Sequence, residues 1–167
     1  IENHPFHDLK ARPSGASSPE IWMLGTSDYG AQVAAHFGIP YCFAHFITDG
    51  RGVGRALDLY RTLYKPSERF PHPIATLCVW ALAADTMKDA EHLFASRMHW
   101  KYKREMGELT AIDPPEKLAE FAYSDFDMLR LKKYRETAIF GDAASVADQI
   151  LDLAKMYNIN EIVVLTW

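Results

Sequence analysis

Short apolar runs alternate with amphipathic stretches along most of the chain, and the alternation has the rhythm of strand, turn, helix, strand. Residues 21–25, Ile-Trp-Met-Leu-Gly, read as a strand that enters a tight turn. The helix that follows covers about residues 29–37, and Gly38 stops it with Pro40 just beyond. A second run, residues 41–47, reads as the next strand. Thr48-Asp49-Gly50 then turns the chain into a helix carrying Ala56, Leu57, Leu59, Tyr60 and Leu63, closed by Pro66. Residues 74–83, rich in Val, Ile, Leu and Trp, predict a third, fully buried strand. Asp85-Thr86 supplies an N-cap for a long helix over about residues 87–106. Simple alternation is lost over residues 107–138, where Pro114-Pro115-Glu116 and Ser124-Asp125 each start a short helix. Ile139-Phe140-Gly141 leads to Asp142, the predicted N-cap of a helix over residues 144–157, and residues 161–166 form the last strand.

Strands separated by helices pair in parallel through right-handed crossovers, so the fold class is α/β. Two architectures fit: an open doubly wound sheet, or part of a TIM-type (β/α)8 barrel. Both place ligands at the carboxyl ends of the strands. A whole barrel takes roughly 250 residues, so 167 residues supply a partial barrel of about four strand–helix units. Residues 1–20, with Pro13 to Pro19 as their core, are an aperiodic loop leading into the unit formed by residues 21–167.

Composition changes this picture little. Hydrophobic residues make up 49% and charged residues 24% of the chain, an ordinary globular balance. The net charge of -4 gives no footing for a nucleic-acid partner. The basic clusters at residues 101–104 and 132–135 read as solvated helix faces. Cys42 and Cys78 each sit in an apolar run and read as reduced core thiols, which fits a cytoplasmic protein. No apolar stretch reaches the roughly 20 residues that span a bilayer, and no leader pattern opens the chain, so no membrane partner is expected. Ile1 in place of Met reads as a processed chain or a piece of a longer one.

Chemistry concentrates at Gly25-Thr26-Ser27-Asp28-Tyr29-Gly30. Here a strand feeds a helix N-terminus, where free backbone N–H groups and the positive end of the helix dipole converge, and two hydroxyls add donors. The same residues are also simply good helix-start chemistry, with Ser27 or Asp28 as cap. The Asp28 carboxylate opposes an anion unless it turns away. Asp49-Gly50-Arg51-Gly52-Val53-Gly54-Arg55 lacks the last glycine of a dinucleotide fingerprint and reads as a loop, from which Arg51 or Arg55 could reach a phosphate. His4 and His7, with Asp8, lie in an aperiodic loop and read as solvated rather than metal ligands. His45 stands near the carboxyl end of the second strand and reads as a hydrogen-bonded core histidine. Trp80 and Trp167 read as core aromatics, and no Ser-His-Asp, Cys-His or paired-carboxylate arrangement stands out.

The run from Pro19 to Tyr29, with Ala34-Ala35-His36-Phe37-Gly38-Ile39-Pro40 after it, resembles the bacterial luciferase-like flavin monooxygenases, closest to the branch with a Leu-Gly-Ser-Ser turn at this point. Tyr60-Arg61, Pro66-Ser67, Ala84-Asp85-Thr86, Ala90-Glu91-His92-Leu93, Phe140-Gly141 and the closing residues 159–166 continue the resemblance in the family's order. It implies a TIM barrel of which this chain is the C-terminal half, reduced FMN as cofactor, and oxygen activated at the flavin to oxidise a small organic substrate. It further implies that Gly25, Thr26, Ser27 and Gly30 hold the flavin phosphate, with Tyr29 reaching the phosphate or the ribityl chain. A homo-oligomer, or association with the other barrel half, is the implied assembly. Two other readings stand beside it: a non-catalytic flavin-binding or structural partial barrel, and a deazaflavin-dependent reductase.

Overall fold

A five-stranded, all-parallel sheet forms the frame of the computed structural model, which describes residues 4–10, 12, 15, 17–118 and 120–166. The strands are β1 (Met23–Gly25), β2 (Tyr41–Phe43), β3 (Ala75–Ala84), β4 (Ile139–Asp142) and β5 (Ile162–Leu165). The helices are α1 (Asp28–Phe37), α2 (His45–Thr48), α3 (Val53–Leu63), α4 (Met87–Glu105), α5 (Asp125–Thr137) and α6 (Ala143–Tyr157), with a 3-10 turn at Pro115–Leu118. The expected βα alternation is present, and the architecture is a partial (β/α) barrel. Ile1, Pro13 and Trp167 lie outside the described residues.

β1 pairs with β2 and β2 with β3, and the long β3 then serves two further partners in succession. Leu77 to Trp80 pair with β5, whereas Ala81 to Ala84 pair with β4. Leu77 is in register with both Phe43 and Ile162, so β2 and β5 flank it on opposite sides. The short β4 reaches only the carboxyl end of β3, which leaves the lower stretch open to β5.

Two expected elements are shorter than the apolar runs that carry them. The first strand starts at Met23, not at residue 21, and the second ends at Phe43, not at residue 47. His45 to Thr48 instead form the single helical turn α2. The expectation that His45 sits near the end of a strand is corrected accordingly: it opens α2 beyond that strand's end, still at its carboxyl side. Apolar character marked these residues as buried without saying which backbone form buries them.

Helix ends follow the sequence cues. Ser27, Thr86, Ser124 and Asp142 each accept a backbone N–H from the third residue onward, and Ser124 with Asp127 completes a capping box. Gly38 closes α1 at φ 59°, and a Cβ there would collide with the Lys65 carbonyl oxygen. Arg61 of α3 donates to the carbonyls of Tyr157 and Asn158 at 2.6 and 2.9 Å, placing a cation on the negative end of α6.

The two faces of the sheet differ. Leu77, Val79 and Ala81 of β3, with Tyr41, Phe43 and Ile139, pack against Ala31, Ala34 and Ala35 of α1, Ala56, Leu57 and Tyr60 of α3, and Val146 of α6. This is the main core. The alternate residues Trp80 and Leu82, with Phe140, meet Ala90 and Phe94 of α4, so α4 lies on the opposite face from α1, α3 and α6. Phe94 stacks on Phe140 with ring centroids 4.3 Å apart. Further along that face α4 gives no cover, and Leu24 and Val163 are 55% and 43% exposed.

Candidate phosphate-binding turn and its surroundings

The turn after β1 is held from below. The Gly25 carbonyl accepts the Ala44 N–H at 3.0 Å and the buried Tyr41 hydroxyl at 3.3 Å, which fixes the point where the strand ends. Burial pushes the Tyr41 phenol up to about 12, so it is a neutral donor across the physiological range. Ser27 is the N-cap of α1: its Oγ accepts the Gly30 N–H at 3.2 Å, and its carbonyl accepts the Ala31 N–H. The N–H groups of Asp28 and Tyr29 are then the first-turn donors without an intrahelical partner. The Ser27 hydroxyl proton is not used by the cap, and Thr26 Oγ1 has no hydrogen-bond partner among the described residues.

The Asp28 carboxylate beside this turn is held in an ion pair. It binds Arg55 Nε at 2.7 Å, across to the first turn of α3. The residue that the sequence weighed against an anion at this turn and one that it weighed as a phosphate contact thus bind each other. Gly25 and Gly30 face each other, a Cβ built on Gly25 meeting the Gly30 Cα at 3.9 Å. Neither glycine is demanded by a clash or by a positive φ; their effect is to leave the space before the turn open. Gly25, Thr26, Ser27 and Gly30 therefore come together. The Tyr29 side chain lies apart, 77% exposed, in a groove along the outer side of α1 with Val33 and Phe37.

A second group of polar residues gathers beyond β2. His45 is buried, and burial lowers its pKa, favouring the neutral imidazole. It lines a small cavity of about 30 Å³ with Asp49, Trp80, Arg97 and Lys101. Lys101 binds Asp49 with only 16% of its side chain exposed, and Lys103 binds Glu108 at 2.6 Å, so the expectation of a solvated basic face at residues 101–104 is corrected for these two. Arg97 lies between Trp80 and Trp100, 4.9 Å from each ring. Sequence reading missed this arginine, although its spacing from Trp100 within one predicted helix was visible. His7 pairs with Asp8 at 3.1 Å in an exposed segment, and His4 accepts the Phe6 N–H. No described helix is long and apolar enough to cross a membrane.

A strand, a small-residue turn and a capped helix recur in many α/β proteins, so the decision rests on the whole chain. The family model described as luciferase-like monooxygenase matches residues 2–157. The chain belongs to that family. Relatives of this luciferase-like chain include an Escherichia coli (strain K12) protein named luciferase-like monooxygenase, 34% identical over 161 residues, 96% of this chain and 48% of the relative. The YceB protein of Bacillus subtilis is 34% identical over 98% of this chain and 49% of its own length. The N-acetyl-S-alkylcysteine monooxygenase of the same organism is 28% identical, covering 99% of this chain and 49% of that protein. The crystal structure of apo-MsnO8 superposes with a TM-score of 0.77 at 24% identity, over 99% of this chain and 50% of that one, a likeness of fold. The luciferase-like chain thus spans about half the length of the curated relatives it matches.

Proposed function

We propose that the protein is an FMN-dependent monooxygenase acting on a small organic substrate, and that this chain supplies the flavin-phosphate site as the C-terminal half of the barrel, from residue 21 onward. The observation that carries the reading is the α1 N-terminus, in a member of the luciferase-like family, with its one carboxylate turned onto Arg55. The residues fit the group. The Asp28 and Tyr29 N–H groups, the Ser27 and Thr26 hydroxyls and the helix dipole converge where Gly25 and Gly30 leave room for phosphate oxygens. Tyr29, whose exposed ring lies along the outer side of α1, is proposed to meet the ribityl chain only by swinging toward the turn.

Reduced FMN, when bound, supplies the electrons with which oxygen is activated. The protein's share is position and exclusion of water. Ser27 serves two ends at once, capping α1 through its lone pair and offering its proton to the phosphate. Arg55 keeps the Asp28 carboxylate out of the way. The buried Tyr41 hydroxyl holds the Gly25 carbonyl, which keeps the turn in shape without ligand. The open apolar positions Leu24 and Val163 are surface for association, either with a second barrel half or with another copy. The free, buried thiols of Cys42 and Cys78 suit a cytoplasmic protein.

Flavin fluorescence titrations with FMN and riboflavin test the phosphate site directly. FMN is expected to bind at least tenfold more tightly, and equal affinities would overturn the assignment. Oxygen uptake with reduced FMN and candidate substrates tests the activity. Binding without uptake would favour a non-catalytic flavoprotein, and preference for a deazaflavin would favour a reductase.

A further inference from the structure

We propose that a second cavity, of about 500 Å³, is a carboxylate-binding site in which Arg51, Arg130 and Lys133 hold the anionic end of an organic acid. The cavity lies between the turn after α2 (Asp49, Arg51), the carboxyl end of α4 (Glu105, Met106) and one side of α5 (Arg130, Lys133, Tyr134, Thr137). Its size is that of a small-molecule pocket.

The charges of its wall are unequally engaged. Asp49 is bound by Lys101, and Glu105 accepts the hydroxyl of the buried Tyr134. The three cations have no carboxylate within ion-pair distance among the described residues. Arg51 uses only Nε, donating to the Thr48 carbonyl at 3.2 Å, so the two terminal nitrogens of its guanidinium stay available. Arg130 has its guanidinium carbon 4.9 Å above the Phe126 ring and Nη1 4.0 Å from Met106 Sδ, and it attracts the Asp127 carboxylate without reaching ion-pair contact. Arginine presents a planar fork that matches a carboxylate with two parallel hydrogen bonds, and an unpaired pair of such forks beside a lysine selects for that geometry. Met106 and Tyr134 give the ligand's carbon chain an apolar wall.

Position links this cavity to the turn after β1. The turn after α2, expected to be a loop as far as Arg55 but helical from Val53, puts Asp49 and Arg51 in the cavity wall, and the first turn of α3 sets Arg55 on Asp28 beside the turn after β1. Both sites thus lie at the carboxyl ends of the strands, the end where α/β barrels carry their chemistry. The use of the carboxylate site as a substrate anchor rests on the monooxygenase reading; the binding itself does not.

The test is isothermal titration calorimetry at fixed low salt, with hexanoate, hexanamide and inorganic phosphate as probes. Hexanoate is expected to bind saturably and at least tenfold more tightly than hexanamide. Arg130→Gln with Lys133→Gln should abolish that preference, while the circular dichroism melt and the FMN-to-riboflavin affinity ratio stay unchanged. Hexanoate binding no better than hexanamide, or undiminished in the double variant, would overturn the proposal. So would phosphate and FMN displacing hexanoate from the cavity, which would assign it to the flavin. A carboxylate result of either sign leaves the separate FMN-to-riboflavin ratio to judge the function.

Discussion

Ser27 carries two loads that substitution can pull apart. Its Oγ caps α1 by accepting the Gly30 N–H at 3.2 Å, and its hydroxyl proton is proposed to meet the flavin phosphate. Ser27→Ala removes the cap and is expected to cost about 1 kcal/mol of stability. Ser27→Asp keeps the cap, since aspartate is as good an N-cap as serine, and adds a favourable charge at the helix N-terminus. Stability should therefore hold or rise slightly. For FMN the order reverses. A carboxylate about 5 Å from a phosphate of charge near -2 is repelled by roughly 2 kcal/mol in bulk water and by about 7 kcal/mol at an effective dielectric of 20. Even the lower figure is a loss of more than tenfold in affinity. The assay pairs urea unfolding with fluorescence titrations of FMN and riboflavin. Ser27→Asp should fold as wild type, bind riboflavin as wild type and lose the FMN preference, whereas Ser27→Ala should unfold earlier and keep most of it. An Asp variant that binds FMN with unchanged affinity would refute the placement of the phosphate.

Arg55→Ala releases the Asp28 carboxylate toward the turn; FMN affinity is expected to fall about tenfold at low salt, with rescue by Arg55→Lys, while the urea midpoint barely moves because the pair is solvent-exposed. Gly38→Ala forces a left-handed backbone and drives a Cβ into the Lys65 carbonyl, and a loss of about 3 kcal/mol or more in chemical denaturation is expected. Tyr60→Phe removes the acceptor of the Ile74 N–H at 3.1 Å and the donor to the Ile39 carbonyl at 3.0 Å, both part-buried, and should cost about 1 kcal/mol by the same measurement. Burial pushes Tyr41 and Tyr60 up to about 12, above their unfolded value of 10.0, so their contribution to stability is complete below pH 10 and is lost as pH rises toward 12. Urea midpoints should fall over that window, and a midpoint flat from pH 10 to 12 would contradict the assignment.

Helix caps and stops were the most legible part of the sequence. Ser27, Thr86, Ser124, Asp142 and Gly38 all act through local backbone geometry, which a few neighbouring residues determine. Strand limits were less legible, because residues 44–47 are as apolar in α2 as they would be in a longer strand. The βα order implied parallel neighbours but not that β5 would pair with β3, which depends on how little of β3 the four-residue β4 covers. At the turn, small residues and hydroxyls pointed to the anion site proposed there, yet the partner of Asp28 is a residue 27 positions away. The Arg97–Trp100 spacing was visible in one helix, but the contact with Trp80 and the grouping of Arg51 with Arg130 and Lys133 join segments distant in sequence and were not.

The unequal faces of the sheet explain how one chain can keep a stable frame and an open site. The face toward α1, α3 and α6 holds the large, fully buried side chains Tyr41, Phe43, Tyr60 and Leu77, and these supply most of the burial that holds the strands together. On the opposite face α4 covers only Trp80, Leu82 and Phe140, and the sheet is bare at Leu24 and Val163. Ligand sites belong at the carboxyl ends of the strands and on the less covered face, where side chains can change without emptying the main core. The proposed phosphate turn and the basic cavity both sit toward the carboxyl ends of the strands, and each is built on turns and helix ends rather than on the large side chains of the buried face. Substitutions there should separate binding from folding, and substitutions at Leu77 or Tyr60 should not.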